Sequence, residues 1–139
     1  MTNNEFDIKF LLLNKLNLIE ELSLEEAQCY EFSENDIITA TRILTFIQNG
    51  SYTSSSLAKK LNISRQAIHK NITNLCEKGF LQLQQDEENK KNKIIHITDE
   101  GAELLECRKK VMKKVEKRVA EKLGSENYKQ LKKLLTISW

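Results

Sequence analysis

The chain has 139 residues, 22 Lys and Arg against 20 Asp and Glu, no proline and four glycines. This length fits one domain, or one domain with an added dimerisation module, and the scarcity of helix breakers favours long helices. The longest uninterrupted apolar run is Phe10 to Leu13, which argues against a transmembrane helix and a signal peptide.

In chain order, residues 6–22 carry ten apolar positions in seventeen. Phe6, Phe10, Leu13 and Leu12, Leu16, Ile19 make a stripe too broad for one core face, as in a helix buried on several sides. Ser33-Glu34-Asn35-Asp36 opens a second helix with the face Ile37, Ala40, Ile43, Leu44, Ile47, and Gly50 closes it. Thr53 precedes a short helix with Leu57, Ala58 and Leu61 inside, and can accept from its free N–H groups. Asn62 and Ile63 turn the chain, and Ser64 caps the next helix. There Ile68, Ile72, Leu75 and Gly79 fall at spacings of 4, 3 and 4, one face of a 3.6-residue period, with Gly79 as the terminating glycine. Phe80 to Gln85 and Lys93 to Thr98 alternate as half-buried strands around the polar stretch 86–92. Thr98 or Asp99 can cap a long helix over 99–123. Gly124 breaks it, Ser125 caps a last helix, and Tyr128, Leu131, Leu134 and Leu135 form that helix's apolar face.

A short helix, a tight turn, a longer helix and two strands are the order of a winged helix-turn-helix, which places its second helix in the major groove of DNA. The predicted fold is therefore mainly α with a small β-wing. A core over 34–98 is flanked by dimerisation helices at 6–22 and 99–137, whose apolar faces exceed what one winged helix can cover. A symmetric homodimer is the simplest solution and an intramolecular helical cap the alternative.

Charge agrees. Residues 1–36 hold two basic and nine acidic residues, 37–98 nine and four, and 99–139 eleven and seven. The basic excess falls on the predicted DNA module and the helix after it, as a polyanion partner requires. On the second helix Gln66, Lys70 and Thr73 lie opposite the buried face. Gln suits adenine and Lys suits guanine, so Gln66 and Lys70 are the candidate base readers, against the bland reading of a solvated helix face. His69 sits on the flank, between groove contact and packing under the wing. Ser54, Ser55, Ser64 and Arg65 suit phosphates, and Thr73 suits either role. Lys90, Lys91 and Lys93 supply the wing with charge.

The stretch SSSLAKKLNISRQAIHKNITNLCEKGFLQL, the element IHITDEG and the terminal LGSENYKQLKKLL together resemble the MarR family of bacterial and archaeal transcription regulators over nearly the whole length. The resemblance implies a cytoplasmic homodimeric repressor on a pseudo-palindromic operator of double-stranded DNA. It also implies release by a small aromatic or lipophilic effector. Asn89-Lys90-Lys91 stand where the family carries Asp-x-Arg, and the helix before the module lacks the usual Leu-Thr-x-x-Gln start. Lysine does not replace a bidentate arginine, so mobile lysines gripping phosphates are expected at the tip.

The three cysteines are scattered and odd in number, which fits a reducing compartment. Cys76 reads as a small core residue. Cys29, beside Tyr30, is where some relatives keep a peroxide-reactive thiol, but Glu26 and Glu31 flank it and would raise its pKa. Neither the cysteines nor His69 and His96 have ligand-pair spacing, so no metal or cofactor is expected, and no catalytic motif is present. Two rivals remain: a cysteine redox switch on the same scaffold, and a winged-helix module that binds proteins and not DNA.

Overall fold

The computed structural model describes residues 5–27, 34–91 and 93–139. Cys29, Tyr30, Ser33 and the side chain of Ile37 lie outside the described residues. The elements are α1 (Ile8–Glu26), α2 (Glu34–Gln48), α3 (Ser54–Leu61), α4 (Arg65–Glu77), β1 (Leu81–Gln85), β2 (Lys93–Ile97), α5 (Asp99–Leu123) and α6 (Ser125–Thr136). They form two compact units, Phe32–Arg108 and the pair of segments Met1–Glu31 with Lys109–Trp139. The first ten residues of α5 belong to the former unit and the rest to the latter.

The Phe32–Arg108 unit is built on one core. Ile43, Leu44, Leu57 and Ile68 are wholly buried at its centre, with Ile72, Leu75, Leu81, Ile95, Leu104 and Leu105 around them. Fully burying each large aliphatic side chain is worth about 1.5–3 kcal/mol. Local signals agree with this packing. Thr53 Oγ1 accepts from Ser56 N–H at 3.2 Å and Ser64 Oγ from Ala67 N–H at 3.1 Å, so both predicted N-caps form. Asn62 ends α3 in the left-handed region at φ 55°, and Gly79 follows α4 at φ 84°.

β1 and β2 pair antiparallel in the register Leu81↔Ile97, Leu83↔Ile95 and Gln85↔Lys93. The backbone N–H of Ile95 also donates to the Tyr52 carbonyl at 3.0 Å, which ties β2 to the start of α3. The predicted alternation fails on β1: Leu81 is buried and the four residues after it are exposed, Leu83 included. The wing leaves the core after one residue, so Leu83 points along the core face of the hairpin but beyond the core itself.

One joint fastens α5 to the end of α4. Thr98 Oγ1 donates to the Gly79 carbonyl at 2.6 Å and accepts from Gly101 N–H at 3.1 Å, while Thr98 N–H donates to the Phe80 carbonyl at 3.1 Å. Thr98, and not Asp99, is therefore the cap. A Cβ at Gly101 would stand 2.4 Å from the Phe80 carbonyl oxygen and 2.8 Å from Ile97 Cγ2, so only glycine permits this approach.

In the other unit Ala27, Val111 and Val115 are buried among Ile19, Leu22, Met112 and Val119. Arg118 reaches Glu25 at 2.7 Å and Glu26 at 3.3 Å. Asp7 caps α1 by accepting from Phe10 N–H at 2.8 Å. α1 begins two residues later and runs four residues further than the predicted 6–22. It has no fully buried residue within the chain. The cap of α6 also differs from expectation: Gly124, at φ 87°, holds the N-cap position with no side-chain bond, and Ser125 is the first helical residue. Glu116 accepts from the Tyr128 hydroxyl and from Lys132 Nζ, the latter at 2.8 Å, joining α5 to α6.

Candidate nucleic-acid interface

α3 and α4 open with the Thr53 and Ser64 caps, and neither first turn contains an acidic residue. Both helix N-termini therefore keep their partial positive charge for an external anion. Between them and the wing lies an open groove of about 660 Å³, lined by Thr53, Ser54, Ser55, Arg65, His69, Ile72, Thr73, Leu83, Lys91 and Lys93. The fold thus brings together seven of the eleven residues predicted from sequence as DNA contacts. Hydroxyls and helix ends line one side of the groove and lysines the other, with Arg65 at the head of α4.

The other four stand outside the groove. Gln66 and Lys70 are exposed on α4, one turn apart, and Ser64 is exposed at its cap. Lys90 is exposed on the wing tip. His69 is exposed and lines the groove, which places it on the outer flank of α4 and not under the wing. Sequence reading missed Thr53, Ile72 and Leu83. Thr53 was read only as a cap, Ile72 only as core, and Leu83 was assigned to the buried side of a strand. Its registration with the buried Ile95 gave no signal that the core ends there.

Polar side chains of the wing tip bond to its own backbone. Asp86 Oδ1 accepts from Glu88 N–H at 3.0 Å, Asn89 Oδ1 accepts from Lys91 N–H at 3.2 Å, and the Gln85 side-chain amide donates to the Lys90 carbonyl. Among the described residues, three side-chain-to-backbone bonds thus lie at the tip where the sequence reading expects mobile lysines.

Cys76 is half-buried against the core, and burial pushes its thiol above the ordinary range, away from reactivity. Among the described residues no group of three or more His, Cys, Asp or Glu is placed to hold a metal ion. No described helix is long and apolar enough to cross a membrane.

Residues 39–86 match a family model described as an HTH domain. No curated protein sequence matches the chain. Solved structures match it nearly end to end. S. aureus MepR, solved as a DNA complex, is 20% identical over 95% of this chain and 96% of its own, with a TM-score of 0.69. Wild-type MarR from E. coli in its apo form is 18% identical over 94% and 95%, with a TM-score of 0.77. The transcriptional regulator PA4135 is 20% identical over 94% of each chain, with a TM-score of 0.76. The chain therefore carries a helix-turn-helix domain and has the winged-helix fold of MarR and MepR.

Proposed function

We propose that the chain is a MarR-type transcription regulator that binds double-stranded DNA as a homodimer and represses from a pseudo-palindromic operator. The observation that carries the DNA reading is the outer face of α4. Gln66, His69, Lys70 and Thr73 are exposed there beside a cationic groove, and none of these four side chains makes a hydrogen bond or ion pair among the described residues. Polar side chains held ready at helical spacing beside phosphate-binding groups are what major-groove reading requires. Gln66 and Lys70 take base edges. Ser54, Ser55, Ser64 and Arg65 take phosphates, joined by Lys91 and Lys93 from the wing. MepR, with the same fold, has been solved on DNA, which supports the assignment.

The homodimer rests on exposed apolar surface. Phe10, Leu11, Leu12, Leu13, Leu16 and Leu18 of α1 and Leu131, Leu134 and Leu135 of α6 are each at least 40% exposed. Exposed apolar surface of this extent marks an interface. A two-fold dimer would present two α4 helices to half-sites about 10 base pairs apart.

The test is titration of a labelled random duplex, then of sites selected from a random pool, across a range of salt. Binding should weaken linearly on a log–log salt plot, and the selected sites should be inverted repeats. A protein that binds no duplex at low salt is not a DNA-binding regulator, and its winged helix then serves a protein partner.

A further inference from the structure

The two tip lysines are adjacent in sequence yet differently placed. Lys91 lines the groove with Arg65 and Lys93, whereas Lys90 does not. The backbone between them is held from both sides: the Gln85 side-chain amide binds the Lys90 carbonyl, and Asn89 Oδ1 binds the Lys91 N–H. Gln85 is the last residue of β1 and is paired with Lys93 across the hairpin, so its amide is anchored in the sheet. The Asp86 turn fixes the stretch before it. We infer that Gln85 and Asn89 are positioning residues, which lock the peptide between Lys90 and Lys91 so that Lys91, and not Lys90, is delivered into the groove for a phosphate. The inference rests on the DNA reading above and adds to it the division of labour within the wing.

The physical reason is entropy. A lysine on a free loop must lose backbone as well as side-chain freedom when it meets a phosphate, and a loop ordered beforehand removes the backbone part of that loss. Neither positioning residue needs to touch the nucleic acid. Each acts through the backbone atoms that set where Lys91 starts.

Two measurements test this. In the free protein, the amides of Glu88 and Lys91 should be as ordered by ¹⁵N relaxation as those of β1, and Asn89→Ala should loosen them. A wild-type tip that moves freely on that timescale overturns the inference. The second measurement is a double-mutant cycle on duplex binding. Lys91→Gln should weaken binding more than Lys90→Gln. Asn89→Ala should raise Kd about fivefold in the wild-type background and less than about twofold once Lys91 is already Gln, because a positioning residue loses its effect with the group it positions. Gln85→Ala should follow the same pattern. Asn89→Ser keeps a neutral acceptor able to close the same turn and should restore binding to within about twofold. Equal loss in both backgrounds, or equal loss from Lys90→Gln and Lys91→Gln, overturns the inference. A protein with an ordered tip that binds no duplex overturns instead the DNA reading on which this role depends.

Discussion

The two units solve the burial problem in opposite ways. Among the described residues, fourteen of the seventeen large apolar side chains left exposed belong to the unit of Met1–Glu31 and Lys109–Trp139, and three, Tyr52, Ile63 and Leu83, to the winged-helix unit. The winged helix closes its core with its own residues. The helical unit buries Ala27, Val111 and Val115 and leaves most of α1 and α6 in water. One unit buries its large apolar side chains within the chain, and the other leaves most of them exposed.

The sharpest way to break this comparison is to charge the open surface. Leu13→Glu together with Leu131→Glu should convert a species of about twice the 16.2 kDa chain mass into one of chain mass by sedimentation. The melting temperature of the wild type, but not of the double variant, should rise with protein concentration. A wild type that sediments as a monomer at micromolar concentration would sink the dimer and the palindrome together.

The complementary change strikes the closed core. Ile68→Ala empties a fully buried site on α4 and should cost about 2–5 kcal/mol by chemical denaturation, with the loss falling on the winged helix whatever the oligomeric state. A smaller effect, on the function of that unit alone, comes from its surface. Gln66→Ala should leave stability unchanged and cost on the order of 1–3 kcal/mol on a selected site while relaxing preference at one base position. Equal loss on selected and random duplexes would show that Gln66 only positions the protein.

The smallest effect is alkaline and belongs to the helical unit. Burial, then Glu116, raises the Tyr128 hydroxyl above its ordinary value, and Glu116 raises Lys132. Groups whose folded values are raised contribute stability that is complete below their ordinary values and is lost as pH climbs through the folded ones. The unfolding midpoint should therefore fall above about pH 10, and Tyr128→Phe should flatten the part of that fall due to the phenol. An unchanged profile in the variant would remove the phenol from the account.

Local chemistry was legible where a residue acts on its immediate neighbours. Thr53 and Ser64 cap helices because their oxygens reach an N–H three residues on, and Gly79 ends α4 because its conformation is cheap only for glycine. These choices are settled within one turn of backbone and leave a mark in composition. The misses depend on partners far off in sequence. Thr98 outcompetes Asp99 as a cap because its hydroxyl also meets Gly79, nineteen residues away. Leu83 looks like an inward strand residue because alternation cannot report where a core stops. At the candidate site, the α4 face followed from helical rotation alone. The separation of Lys91 from Lys90 did not, since it depends on bonds from Gln85 and Asn89 that no periodicity encodes.

The joint between α4 and α5 has a consequence for how such a chain can diversify. Every atom of α4's end that Thr98 grips is a main-chain carbonyl, at Gly79 and Phe80, and the helix start is held by Ser64 through the Ala67 N–H. The fastenings at both ends therefore ignore which side chains stand at 66, 69, 70 and 73. Those four positions can be rewritten, by drift after gene duplication or in a combinatorial library, without loosening the scaffold that aims them.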